Sequence, residues 1–175
     1  MPAKFTFKII LIRPPGIGTI IDNITITRFS GSYKQTIGVD ILTKDVEFRE
    51  GEIALLKIFD INTHPFKYSH KSFYQDTHGT LVFFDLTNRG TYENAKKIYG
   101  EIKEVNGKIP FILIGDNAHL EKLINDATLR EEARNFARNE GGVYIEVSPS
   151  MVVALEKAII ELIRIIIDQY LKKDK

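Results

Sequence analysis

The chain has 175 residues and no cysteine. That one absence removes disulfides, thiolate metal sites, a cysteine nucleophile and prenylation of a carboxyl-terminal cysteine together. No apolar run approaches the roughly 20 residues that a membrane-spanning helix needs. The first residues, MPAKFTFK, lack the order of a secretory signal. A cytoplasmic location and no lipid anchor are therefore expected. Neither sign of charge is in excess: 24 Lys and Arg stand against 23 Asp and Glu. Net charge thus gives no reason to expect a nucleic acid or another polyanion as partner. His64, His70, His78 and His119 show no metal-ligand spacing, so no metal site is expected. Internal repeats, low-complexity tracts and linkers are missing as well. What is present, 43% hydrophobic and 27% charged residues, is the ordinary composition of a globular protein, and the length fits one domain over 1–175.

Short apolar strands alternate with longer helical patterns. KFTFKIILI (4–12) is almost continuously β-branched and aromatic, the pattern of a strand buried on both faces. VDILTKDVEF (39–48) and EIALLKIFD (52–60) flank a hairpin turn at Arg49-Glu50-Gly51. GTLVFFDLT (79–87), PFILIGD (110–116) and GGVYIEVS (141–148) are further strands. Helices fill the intervals: 91–105, with Tyr92, Ala95, Ile98, Tyr99 and Ile102 at helical spacing; 127–140, ended by Gly141-Gly142; and 151–171. Alternation with one early hairpin specifies an α/β sandwich whose sheet is mostly parallel, with one antiparallel strand. Ligands of such sheets sit at the carboxyl ends of the strands, here the loops 13–20, 61–66, 87–90, 116–124 and 148–151.

Four segments carry a resemblance. YKQTIGVD (33–40), LKIFD (56–60), KSFYQDTHGTLVFFDLTNRGTYENAKKIYGEIK (71–103) and IPFILIG (109–115) resemble the Ras-like small GTPases, Rab-type members most. The likeness runs from Lys8 to about Leu171. It implies a P-loop NTPase-like three-layer sandwich with a six-stranded sheet and about five helices. It also implies GTP or GDP with Mg²⁺ as ligand, GTP hydrolysis as activity, and protein effectors as partners.

Each nucleotide motif departs from the family pattern. The phosphate loop G-x-x-x-x-G-K-[ST] falls on Arg13 to Ile20. Gly18 is kept and Gly16 gives the turn freedom, but Arg13 replaces the first glycine. Thr19 replaces the lysine that would reach the β- and γ-phosphates, and Ile20 the hydroxyl that would ligate Mg²⁺. Pro14 and Pro15 offer no N–H, so at most a partial anion nest survives from Gly16 to Ile20. Thr36 matches the switch I threonine and Asp60 the aspartate ending the third strand. The motif D-x-x-G-Q continues with Thr63 for its glycine and His64 for its water-orienting glutamine. The base motif N-K-x-D becomes Asp116-Asn117-Ala118-His119, and His119 cannot act as a bidentate acceptor for guanine. S-A-K becomes Ser148-Pro149-Ser150, and Pro149 has no N–H to give. Each buried group left unpaired costs about 1–3 kcal/mol, and every ~1.4 kcal/mol is tenfold in affinity.

Damage at every motif beside intact strands points to a pseudoGTPase, a scaffold without normal nucleotide binding or hydrolysis, with no catalytic residue and no cofactor. The alternative is an atypical GTPase that retains weak nucleotide binding through Gly16, Gly18, Thr36 and Asp60. The expected partner surface is the switch I–interswitch region: Thr36, Ile37, Gly38, Ile41, Phe59, Phe73 and Tyr74. Arg13, ending the first strand, is expected either to pair with Asp60 or Asp116 in the former phosphate or metal space or to point into solvent. The β-branched run IIDNITITRF (20–29) predicts a short or irregular first helix. The wide apolar stripe of 151–171 is expected to pack broadly on the sheet, with self-association as its alternative. The run around Arg130-Glu131-Glu132 reads as a solvated face.

Overall fold

The computed structural model describes residues 5–13, 33–36, 39–60, 71–148 and 152–173. The chain runs through β1 (Phe5–Ile12), β2 (Tyr33–Thr36), β3 (Val39–Arg49), β4 (Glu52–Asp60), α1 (Lys71–Tyr74), β5 (Gly79–Asp85), α2 (Arg89–Asn106), β6 (Phe111–Asp116), α3 (Leu129–Asn139), β7 (Val143–Glu146) and α4 (Val152–Lys173). The anticipated first helix, 20–29, lies outside the described residues.

The seven strands among the described residues form one sheet in the order β2-β3-β4-β1-β5-β6-β7. Pairs β1–β4, β1–β5, β5–β6 and β6–β7 are parallel, and β3 alone runs against the rest. Six strands take the expected places. A seventh, four-residue strand extends the edge: Tyr33–Thr36 folds back antiparallel on β3, with Thr36 opposite Val39. Thr36 therefore closes an edge strand. The β3–β4 hairpin turns at Glu50 and Gly51. Gly51 has φ +75, and its N–H donates to the Glu47 carboxylate at 2.8 Å. A residue with a Cβ would be strained there.

Side-chain alternation along β1 builds two cores. Phe7, Ile9 and Leu11 face one side, where α4 covers them with Leu155, Ile159, Leu162, Ile163, Ile166 and Ile167. Ile10 and Ile12 face the other, under Tyr92, Ala95, Tyr99 and Ile102 of α2 and Leu129, Ala133 and Ala137 of α3. Each fully buried Leu or Ile contributes about 1.5–3 kcal/mol of transfer free energy, so the wide stripe of α4 is accounted for by this packing. No helix among the described residues is long and apolar enough to cross a membrane. β1 is not buried throughout: Thr6 is exposed and Lys8 half-buried. The face around Arg130 is more than solvated charge. The guanidinium joins Glu121 at 3.0 Å and Glu146 at 2.9 Å, which ties α3 to β7.

Candidate functional site

Register brings the carboxyl ends of the strands together. Leu11 of β1 lies opposite Asp60, the last residue of β4. Side chains repeat every two residues along a strand, so Arg13 emerges on the same face as Leu11 and Asp60, one step further along. Its guanidinium closes on that carboxylate: Nε donates to Asp60 Oδ2 at 2.9 Å, and Nη2 lies 2.7 Å from the same oxygen. Both side chains are only 12% exposed. Of the two expected carboxylates, Asp60 is the partner. A charge-assisted contact of this length is among the stronger polar contacts available to a protein.

The other half of the site lies where β5 and β6 end. Asp85 and Asp116 are register partners. Asp85 Oδ1 accepts from the Thr87 N–H at 2.8 Å, the Thr87 hydroxyl at 2.7 Å and the Asn117 side-chain amide at 3.0 Å. Asp116 is buried, and its Oδ1 accepts from the Asn117 N–H at 2.7 Å. Burial pushes the Asp116 carboxyl above its ordinary range. The Asn117 N–H opposes this, Asp85 adds to it, and His119 offsets part of it. Asn117 makes both contacts because its backbone is left-handed, φ +62, a conformation that asparagine tolerates better than most residues. The Ala118 N–H donates to Val147 O at 3.2 Å, joining this loop to the end of β7. His119 is exposed, while Ser148 is 9% exposed.

The described residues thus bring Arg13 to Asp60 and place Asp116, His119 and Ser148 at neighbouring strand ends. Gly16, Gly18, Thr19, Ile20, Thr63, His64 and Pro149 lie outside the described residues, as do Ile37 and Gly38 of the expected partner surface. Thr36 is seen as strand backbone. Among the described residues no three His, Asp or Glu side chains gather in a way that could hold a metal ion. Asp85 did not stand out in sequence. Its signal was the D-x-T pattern directly after an apolar strand, where a carboxylate can accept from the threonine two residues on.

Among the residues expected at the partner surface, Ile41 pairs with Phe59 across β3 and β4. Ile41, Phe59 and Phe73 are half-buried and pack against the same core as α2 and α3. Tyr74 does not belong with them. It is 1% exposed, and its hydroxyl donates to Glu101 at 3.2 Å. Burial and that carboxylate raise its pKa. One residue of helical rotation separates Phe73 from Tyr74, enough to send the second ring into the core.

Comparison with known proteins gives a match to the model of the Ras family over residues 8–168. The chain is similar to the Ras-related protein RABA1a of Arabidopsis thaliana, with 29% identity over 91% of this chain and 74% of the relative. It is similar also to the Ras-related protein RABA2a of the same plant, 28% identical over 98% of this chain and 81% of the relative. The Ras-related protein Rab11D of Lotus japonicus is 27% identical over 91% and 73%.

Proposed function

The chain belongs to the Ras family, and we propose that within that family it is a pseudoGTPase, a protein-binding scaffold that holds its fold without guanine nucleotide or Mg²⁺ and does not hydrolyse GTP. The observation that carries this reading is the Arg13–Asp60 ion pair. Asp60 matches the carboxylate at the Mg²⁺ position of the family, and here a resident cation satisfies it. A hard divalent ion needs about six oxygen ligands and would sit beside a positive guanidinium. At a separation of 4 Å two like charges repel by about 4 kcal/mol at an effective dielectric of 20. Thr19 and Ile20 remove the other cation and the other Mg²⁺ ligand that the family uses.

The base loop supports the same reading. Asp116 and the Asn117 side chain are committed to bonds within and beside the loop, and His119 brings no carboxylate for guanine to donate to. The partner is a protein, and its contact surface is Ile41, Phe59 and Phe73 together with the switch I segment at Thr36, Ile37 and Gly38. Aromatic side chains held at a half-buried surface are the usual anchors of such contacts.

The test is direct. Purified protein is denatured and the supernatant is chromatographed for GDP and GTP. The expected result is no guanine nucleotide; recovery near one per chain would overturn the reading. A titration with Mg²⁺ and GTP should likewise leave the melting temperature unchanged, since a ligand bound only by the native state must raise it.

A further inference from the structure

The last residues of the short helix α1 and the residue after it offer three successive carbonyls, those of Phe73, Tyr74 and Gln75, and other elements bind each of them. Lys8 of β1 sends its ammonium to Phe73 O and to Gln75 O, the latter at 2.8 Å. Asn106, the last residue of α2, donates its side-chain amide to Tyr74 O at 2.6 Å. It also accepts the Thr77 N–H on its carbonyl oxygen at 3.1 Å. A helix end leaves such carbonyls unpaired, and a four-residue helix has almost no bonding of its own to hold its shape. Side chains from two other elements therefore help to order this segment, alongside the Thr77 hydroxyl, which donates to Tyr74 O at 2.7 Å. The Lys8 ammonium also lies 4.7 Å from the centroid of the Phe59 ring, so a single cation joins the Phe59 ring to the Phe73 backbone.

We infer that Lys8 and Asn106 form a clasp that fixes the carboxyl end of α1 against β4, so that Phe73 and Phe59 are presented as one preset partner surface. Lys8 acts as a positioning residue, since it touches the backbone and the ring rather than a ligand. The inference rests on the reading of the chain as a partner-binding scaffold for its purpose, but the clasp itself stands on geometry. A surface held in this way is ordered by the protein and needs no ligand. A pre-ordered surface binds without the entropy cost of arranging its own side chains.

Hydrogen exchange by mass spectrometry on the full chain tests it, with the wild type, Lys8→Met, Lys8→Arg and Asn106→Asp. In Lys8→Met and in Asn106→Asp, amides of 72–78 should exchange about tenfold faster or more, while those of 129–139 keep the wild-type rate. Lys8→Arg keeps a donor and a cation, and should stay close to the wild type. Exchange over 72–78 that is unchanged in both Lys8→Met and Asn106→Asp overturns the clasp, and so does an equal acceleration of both segments. If one variant does not fold, the other decides, because they break different contacts. Adding Mg²⁺ and GTP to the wild type separates the two ideas, because it bears on the nucleotide-free reading alone. Slower exchange over 72–78 on addition would refute that reading and unchanged exchange supports it, while the clasp stands or falls on the variants.

Discussion

Replacing Arg13 by methionine removes the cation and keeps most of the apolar stem. Asp60, 9% exposed, is then left as a carboxylate without its guanidinium. Breaking a buried pair by removing one partner costs about 3–5 kcal/mol. The pair here keeps 12% exposure on each side chain, so the low end applies, about 3 kcal/mol. For a domain of this size each kcal/mol moves the melting temperature by about 2–4 °C. Arg13→Met should therefore melt about 6–12 °C below the wild type. Asp60→Asn removes the negative charge that the guanidinium faces and should cost about 2 kcal/mol. The double variant removes both charges, so its loss should fall short of the sum by about 2 kcal/mol. Urea denaturation of the four proteins, with slopes compared to exclude a change of denatured state, measures that coupling. Strict additivity, within about 0.5 kcal/mol, would refute the claim that Arg13 satisfies Asp60.

Three further outcomes follow from the same structure. Burial holds the pKa of His78 below its ordinary value, Asp76 opposes the shift, and Lys8 and Lys173 reinforce it; Nδ1 must stay unprotonated to accept the Lys8 N–H at 3.0 Å. A depressed histidine stabilises fully above its unfolded pKa of about 6.5, and that contribution is lost as pH falls through the folded value. Melting temperature should thus drop between pH 7 and 5, and His78→Asn, which retains an acceptor, should flatten that part of the profile. Among the described residues the buried Tyr99 hydroxyl finds no hydrogen-bond partner, and burial with the nearby Glu140 pushes its pKa up to about 12. Tyr99→Phe should be neutral or stabilising by up to about 1 kcal/mol in urea denaturation. Asn117→Ala removes one of the bonds to Asp85 and forces alanine to a positive φ, for a loss of about 2–3 kcal/mol. Asn117→Gly should recover about 1 kcal/mol of it, and equal losses for the two would contradict this account.

Much of the fold was legible because apolar pattern and turn chemistry agree along the chain. The continuous run of β1, the Glu50-Gly51 turn and the 3–4 spacing on α2 each specify one local structure. The Arg13–Asp60 pair was legible for a different reason: a cation ending one strand and an anion ending its neighbour can be read from a family resemblance plus strand order. What was less legible depends on rotation and on long-range contact. Tyr74 and Phe73 are adjacent aromatics, and nothing local says which turns inward. Asp85, Lys8 and Asn106 each act on a residue at least two positions away in chain and often tens of positions away. Lys8 had one local sign, a charged residue inside an otherwise apolar strand. Such a side chain must find its own partners.

Under the proposed function, strand β4 explains how an altered nucleotide site and a partner surface would coexist. Asp60 and Phe59 are consecutive, so their side chains leave opposite faces of the sheet. Asp60 meets Arg13 on the face that α4 covers further down. Phe59 meets Ile41 and Lys8 on the other. A change in the charge of the first face therefore reaches the second only by moving the strand. β4 is held along its length by β1 on one side and β3 on the other, in continuous register from Ala54 to Asp60 against β1. Packed elements resist such movement. Satisfying Asp60 from within the chain keeps the end of this strand in place without a ligand, and the aromatic face is kept in place with it. Under the proposed function, the guanidinium at position 13 thus secures the partner surface by fixing the strand that carries it.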